Sequence, residues 1–269
     1  MILINGKAEQ NLSCLDRGLH YGDGLFETLL YDGESVKHWS LHWRRFQHGC
    51  ERLNLPLPDE NKLLADIEQV TYGLQSAVVK IIYTRGVTGR GYAYAQCRPN
   101  CIVIDFPVPQ YPMHNKEQGI ELYLCNTRLA HQPLLAGIKH LNRLENVLAR
   151  NEWQDERFAE GLVCCMNGNV IEGTMSNIFL VVDGKLETPE LSQCGVAGIT
   201  RQRILQMAGE QHIAVSEKQI SLKALAHADE VFVCNSVIGI WPVKKVGSME
   251  FITTDDNNPI TRLLQSRLF

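Results

Sequence analysis

The 269 residues contain no run of the roughly 18 apolar positions that a membrane-spanning helix requires. The apolar stretch over 231–241 is interrupted by Asn235 and Ser236. The start, Met-Ile-Leu-Ile-Asn-Gly-Lys, lacks the basic beginning and longer apolar segment of a signal peptide. No membrane partner is therefore expected. Charge of one sign is also scarce. The net charge is −4 with acids and bases interspersed, which argues against a nucleic-acid surface. None of the nine cysteines stands in Cys-x-x-Cys spacing, so neither a structural zinc site nor a thioredoxin-like motif is indicated, and no metal is expected. Their odd number and scatter from Cys14 to Cys234, with Cys164-Cys165 inside an apolar run, suit buried inert thiols and a cytoplasmic location. Internal repeats and low-complexity segments are absent.

What is present is ordinary globular material, 45% apolar and 21% charged, enough for one large domain or two small ones. Residues 1–5 read as a strand ending at the Asn5-Gly6 turn, and 25–31 as a hairpin arm through Asp32-Gly33 into Ser35–His38. Ser40 is the expected N-cap of a helix to about residue 53, and Asp59 that of a second helix to about Tyr72. Residues 77–84 and 101–107 are rich in strand formers. The segment from Pro107 to Glu117, with three prolines, reads as an interdomain linker. Beyond it, strands are expected near 119–125, 161–166, 170–172, 177–182, 213–217 and 230–235. Tight turns fall at Asn167-Gly168 and Asp183-Gly184, and helices at about 142–155, 199–211 and 259–267. The pattern is α+β rather than a regular alternation of strand and helix.

Several strings carry chemistry. Residues 136–144 read Ala-Gly-Ile-Lys-His-Leu-Asn-Arg-Leu and place Lys139 between a small, flexible approach and a helical run. Residues 172–180 read Glu-Gly-Thr-Met-Ser-Asn-Ile-Phe-Leu. Gly195-Val-Ala-Gly-Ile-Thr-Arg201 opens a helix, and a glycine-flanked helix N-terminus is a natural anion site. On the first helix stands His42-Trp43-Arg44-Arg45-Phe46. An arginine fork suits a phosphate. Asp16-Arg17-Gly18 with Tyr21-Gly22-Asp23-Gly24 and Phe26-Glu27-Thr28 has glycines suited to a tight entrance loop. Thr-Arg-Gly-Val-Thr-Gly-Arg-Gly-Tyr spans 84–92.

In this order the strings resemble the fold-type IV enzymes that use pyridoxal 5'-phosphate, the group of the D-amino acid and branched-chain aminotransferases, and within it the aminodeoxychorismate lyases. The likeness runs from Asp16 to about Val243, with Phe46 where the family has Leu. It implies a small N-terminal α/β domain (1–108), a linker (109–118) and a larger C-terminal cofactor-binding domain (119–269) with a β-barrel-like core. It also implies that Lys139 carries the cofactor as a Schiff base and moves protons. Glu172 would lie beside the pyridine nitrogen, followed by Ser176 and Asn177. Ile199, Thr200, Ser236, Val237 and Arg45 would hold the phosphate. Arg90, with Tyr92 beside it, is the candidate for a substrate carboxylate. Thr28 either faces substrate or is a strand-face threonine. The implied substrate is the small molecule 4-amino-4-deoxychorismate, cleaved to 4-aminobenzoate and pyruvate on the way to folate, by a homodimer. An aminotransferase shares the early steps and is the alternative. A degenerate binding member would be free to lose one of Lys139, Glu172 and Arg45, all of which are present.

Overall fold

A computed structural model describes residues 1–94, 97–253 and 259–268. Contacts divide the chain into two compact units, one of Met1–Pro109 with Ile138–Asn142, the other of Gln110–Gly137 with Arg143–Phe269. The lysine segment thus belongs by its contacts to the first unit, although sequence from the second flanks it on both sides.

The first unit contains β1 (Ile2–Ile4), β2 (Lys7–Ala8), α1 (Arg17–Tyr21), β3 (Gly24–Tyr31) and α2 (Trp39–Leu53). It continues with α3 (Glu60–Thr71), β4 (Ala77–Thr84) and β5 (Asn100–Phe106). Its five strands are antiparallel in the order β2-β1-β5-β4-β3. Side chains alternate across a strand. Leu25 and Leu29 of β3 and Val79, Ile81 and Tyr83 of β4 are buried, and α2 packs on β3 with Phe46 5.5 Å from the Tyr83 ring. Phe26, Thr28, Lys80 and Ile82 lie on the opposite face. Asp59 caps α3 by accepting from Asn61 N and Lys62 N, the role its position dictates. Ser40 does not cap α2. The N-cap is His38, left-handed at φ 55° with no side-chain cap bond, and the helix begins one residue before the serine. The expected hairpin partner over 35–38 shrinks to one bridge, Tyr31 to Val36.

The second unit begins with α4 (Met113–Glu117), a short helix within the segment read as a linker. β6 (Ile120–Leu129), α5 (Leu144–Arg150), β7 (Phe158–Cys165), β8 (Asn169–Gly173) and β9 (Asn177–Val182) follow. After β10 (Lys185–Pro189) come α6 (Ile199–Glu210), β11 (Val215–Lys218), β12 (Ile220–Ser221) and α7 (Leu222–Leu225). The unit ends with β13 (Glu230–Asn235), β14 (Gly239–Val246), β15 (Met249–Glu250) and α8 (Pro259–Arg267). Strands pair in the order β9-β13-β14-β6-β7-β8, and β8 returns to β9 through one residue pair, Glu172 opposite Asn177. That pairing closes a six-stranded barrel. Its strands read as continuous apolar runs because both faces are buried. Ile178 and Leu180 of β9 join Val231 and Val233 of β13 in one cluster, while Phe179, Val181, Phe232 and Cys234 join Ile204, Met207 and Leu264 of α6 and α8 in another. Phe179 and Phe232, register partners, stack with centroids 5.1 Å apart. The turn at Asp183-Gly184 has φ of 50° and 71°, the doubly positive conformation of a tight hairpin.

All nine cysteines are free thiols, and burial pushes those of Cys50, Cys101, Cys125, Cys194 and Cys234 up to about 12. These five are protonated and unreactive at neutral pH.

Candidate active site

In the first unit the lysine segment lies as a short antiparallel strand against β3. Phe26 N donates to Lys139 O at 2.9 Å, Leu141 N donates to Gly24 O at 3.0 Å, and Leu25 bridges His140. Two glycines permit this approach. A Cβ on Gly24 would stand 2.3 Å from Tyr83 O and 2.8 Å from Leu141 Cδ1, and one on Gly22 (φ +63°) 2.5 Å from Asn142 Oδ1. Asn142 Nδ2 donates to Gly22 O at 3.1 Å. The glycines expected to shape an entrance loop therefore seat the lysine strand. Gly22 caps the short helix α1, and Gly24 opens β3.

Lys139 Nζ stands 4.2 Å from the centroid of the Phe26 ring, and Lys80 Nζ stands 5.6 Å from the same centroid. An aromatic face attracts cations. Thr28 is half-buried, on the same strand face as Phe26, and is the register partner of Lys80. Lys80 was not among the sequence candidates. Its signal is a lone charge in the apolar strand Ala77-Val-Val-Lys-Ile-Ile-Tyr.

On the other face of β3, Glu27 is buried against α2. Arg45 donates from Nε to Glu27 Oε1 at 2.8 Å and from Nη2 to Oε2 at 2.5 Å. His42 Nδ1 is 2.6 Å from Oε2. Burial alone would raise the Glu27 pKa, but the Arg45 and His42 interactions outweigh it and hold it at about 2. Burial dominates at His42 and lowers its pKa despite Glu27. Arg45 is thus a guanidinium fixed by a buried carboxylate, whereas Arg44 is exposed. Arg90 and Tyr92 are exposed on the loop after β4, with the Tyr92 ring 5.5 Å from that of Tyr21.

In the second unit the barrel seam gathers the remaining candidates. Glu172 is 3% exposed, and its Oε2 accepts Val196 N at 2.8 Å. Across the seam, Asn177 Nδ2 donates to Val196 O at 2.8 Å. Glu172 and Asn177 therefore fix both polar groups of one residue in the glycine loop before α6. Ile199 and Thr200 are the first residues of α6, where N–H groups lack intrahelical partners. The N-cap Gly198 supplies no side chain, and a Cβ there would lie 2.0 Å from Asn177 Oδ1. Thr200 Oγ1 is buried without a hydrogen-bond partner. A glycine-cleared helix N-terminus with an unsatisfied hydroxyl is a donor set that fits a phosphate.

Ser176 Oγ donates to Glu160 Oε2 at 2.8 Å. Glu160, also missed in the sequence, is buried and accepts from Gly161 N, Thr174 N, Thr174 Oγ1 and Met175 N as well. It shapes the turn between Glu172 and Asn177. Asn235 links that turn to the next loop. Its Nδ2 donates to Met175 O at 3.1 Å, and its Oδ1 accepts Val237 N and Ile238 N at 2.8 and 2.9 Å. Ser236 and Val237 thus lie in a side-chain-braced turn and are half-buried. Among the described residues no helix is long and apolar enough to cross a membrane, and no group of three or more His, Cys, Asp or Glu could hold a metal ion.

Residues 24–246 match the family model for amino-transferase class IV. The chain is 36% identical over 269 residues to an aminodeoxychorismate lyase of Vibrio harveyi, covering 100% of this chain and 99% of that protein. The crystal structure of a 4-amino-4-deoxychorismate lyase from Pseudomonas aeruginosa superposes with a TM-score of 0.94 at 42% identity, over 100% of this chain and 99% of that one. A branched-chain amino acid aminotransferase from Escherichia coli gives a TM-score of 0.86 at 27% identity, over 98% and 92% of the two chains.

Proposed function

Because the chain belongs to the amino-transferase class IV family, we propose that it is a pyridoxal 5'-phosphate-dependent lyase that converts 4-amino-4-deoxychorismate to 4-aminobenzoate and pyruvate. The observation that carries this reading is its whole-length likeness to the P. aeruginosa lyase, a TM-score of 0.94 against 0.86 for the E. coli aminotransferase. The architecture is that of the fold-type IV enzymes, an N-terminal α/β unit and a barrel-cored C-terminal unit.

The cofactor supplies an electron sink for the pair left when a proton leaves the carbon bearing the substrate amine. Lys139 is the proposed covalent anchor at rest. Once freed, its Nζ takes that proton as general base. The bond from the neighbouring ring carbon to the enolpyruvyl oxygen then breaks, and the ring becomes aromatic. Lys139 Nζ returns that proton to the methylene carbon of the departing enolate, which gives pyruvate. Glu172, fixed by Val196 N, is the proposed partner of the ring nitrogen, with Ser176 and Asn177 holding the turn that presents it. Ile199, Thr200, Ser236, Val237 and Arg45 are the proposed phosphate ligands. The substrate carries two carboxylates and calls for two cations. Arg90 is assigned to one, with Tyr92 beside it, and Lys80, on the Phe26 ring with Lys139, to the other. Thr28 lies on the same strand face as Phe26 and is the proposed substrate contact there.

The proposed partner is a second copy of the chain. Leu144, Val147 and Leu148 form one apolar face of α5 and are 76%, 52% and 62% exposed. A cytoplasmic, folate-directed role follows the same reading.

The test is product formation by purified, cofactor-loaded protein given 4-amino-4-deoxychorismate. Equal amounts of 4-aminobenzoate and pyruvate, absent with Lys139→Ala, are expected. Amino-group transfer from D-alanine or a branched-chain amino acid, without 4-aminobenzoate, would move the function to an aminotransferase.

A further inference from the structure

The Asp16-Arg17-Gly18 and Tyr21-Gly22-Asp23-Gly24 strings contain buried charges that the proposed reaction does not use. Arg17 and Arg85 are 4% and 2% exposed. Each donates from Nε to the same oxygen, Asp23 Oδ2, at 2.8 Å. Burial would raise the Asp23 pKa, but hydrogen bonds and charge from Arg85 and Arg17 outweigh it and hold it below the ordinary value. Asp23 is therefore ionised at neutral pH. One carboxylate cannot satisfy two guanidinium groups, so the remaining N–H donors reach main-chain carbonyls. Arg85 donates to Leu53 O at 2.6 Å and Asn54 O at 3.0 Å. Arg17 donates to Gly91 O at 2.8 Å, Tyr92 O at 3.0 Å and Thr88 Oγ1 at 3.3 Å.

The loop that Arg17 grips is the one that carries Arg90. Its other end is tied to the same short helix, since Arg17 N donates to Gly86 O at 3.0 Å and Asp16 bridges Val87. Between these ties the loop is open. A Cβ on Gly89 or Gly91, the neighbours of Arg90, would meet nothing within 4 Å. Local packing therefore does not restrain the main chain at these two glycines. The fork of Arg17 on two consecutive carbonyls does, because a planar guanidinium fixes both at once, as a single ammonium cannot. Asp23 serves a second purpose. It sits between Gly22 and Gly24, whose carbonyls accept Asn142 Nδ2 and Leu141 N of the lysine strand.

We propose that Arg17 is a positioning residue for substrate recognition, fixing the main chain beside Arg90 against the same Asp23 that lies in the seat of the Lys139 strand. The inference rests on the reading of Arg90 as a carboxylate ligand. Arg17 touches neither cofactor nor substrate and acts through Arg90. Its loss leaves the Arg90 guanidinium present but unplaced, so binding suffers before chemistry does.

The experiment compares wild type, Arg17→Lys, Arg90→Ala and the double variant as cofactor-loaded enzymes acting on 4-amino-4-deoxychorismate. Arg17→Lys keeps the charge opposite Asp23 and removes the fork. Its KM is expected to rise about tenfold or more, with kcat within about threefold and the absorbance of bound cofactor unchanged. In the Arg90→Ala background the same substitution is expected to raise KM no further. An unchanged KM in folded Arg17→Lys overturns the proposal. So does an equal further rise in the Arg90→Ala background, or a fall in kcat with a shifted cofactor spectrum at constant KM. If Arg90→Ala alone leaves KM unchanged, the Arg90 reading fails, and a KM rise in Arg17→Lys then shows a different route and overturns the proposal separately. Should Arg17→Lys not fold, Gly91→Ala disturbs the same link from the loop side, at φ +97°, and an unchanged KM there overturns it.

Discussion

Glu27 and Arg45 form a two-point pair between β3 and α2, Nε to Oε1 at 2.8 Å and Nη2 to Oε2 at 2.5 Å, with side chains 3% and 9% exposed. Breaking one side of a buried pair leaves the other charge uncompensated, at a cost of about 3–5 kcal/mol. Glu27→Gln is therefore expected to lose that much stability in urea denaturation at pH 7. A loss below about 1 kcal/mol would mean that solvent compensates Arg45.

Acid should act on the same cluster in two stages. His42 has a folded pKa below its ordinary 6.5, chiefly through burial, so it is neutral in the fold. Below pH 6.5 the unfolded chain takes up a proton that folded His42 refuses. Stability then falls with pH, by up to about 1.4 kcal/mol per unit from this group. Glu27, held at about 2 against 4.5, adds a loss that begins near 4.5 and runs down to about 2. Denaturation profiles from pH 7 to 4.5 should be flatter for His42→Asn than for wild type. Parallel profiles would remove His42 from the acid response.

Gly198→Ala would place a methyl 2.0 Å from Asn177 Oδ1, whose amide is tied to Val196 O. Either the first turn of α6 shifts with its free N–H groups, or the Asn177 amide shifts and releases Val196 O in the loop before it. Cofactor content per chain after exhaustive dialysis is expected to fall about tenfold or more. Wild-type retention would take the α6 N-terminus out of phosphate binding.

Glu172→Gln is isosteric and can still accept Val196 N. Its expected effect is on turnover, about 100-fold or more, with cofactor retained. A rate within threefold of wild type would show that charge at this position is not used.

Leu148→Asp places a charge in the apolar face of α5. Sedimentation is expected to show dimers for wild type and monomers for the variant. Dimers in both would move the interface off this helix.

Much of this was legible in the chain. Asp59 lies where an N-cap must, and Asp183-Gly184 can form little else than a tight hairpin turn. The misreadings have physical causes. Ser40 has the chemistry of a cap, but the chain turns two residues earlier at left-handed His38. The helix expected over 142–155 spans only Leu144–Arg150, since helical propensity gives way on one side to the strand that β3 imposes on 138–142. No strand is expected from the sequence over 239–246, because nothing local reveals its partners, β13 and β6. The site strings stood out as strings. Their supports did not, because Glu160, Asn235 and Lys80 act across sequence distances that no spacing rule spans.

The first unit completes its sheet edge with five residues encoded near the middle of the chain. During synthesis, β3 leaves the ribosome with the edge at Gly24 and Phe26 unpaired until residue 142 has followed it. By then all of β6 and the approach to the lysine have also been made. A fragment ending at Pro109 would keep that edge bare, and an exposed strand edge recruits other chains. Separate expression of the first unit should therefore yield aggregates unless residues 138–142 are supplied in the same molecule.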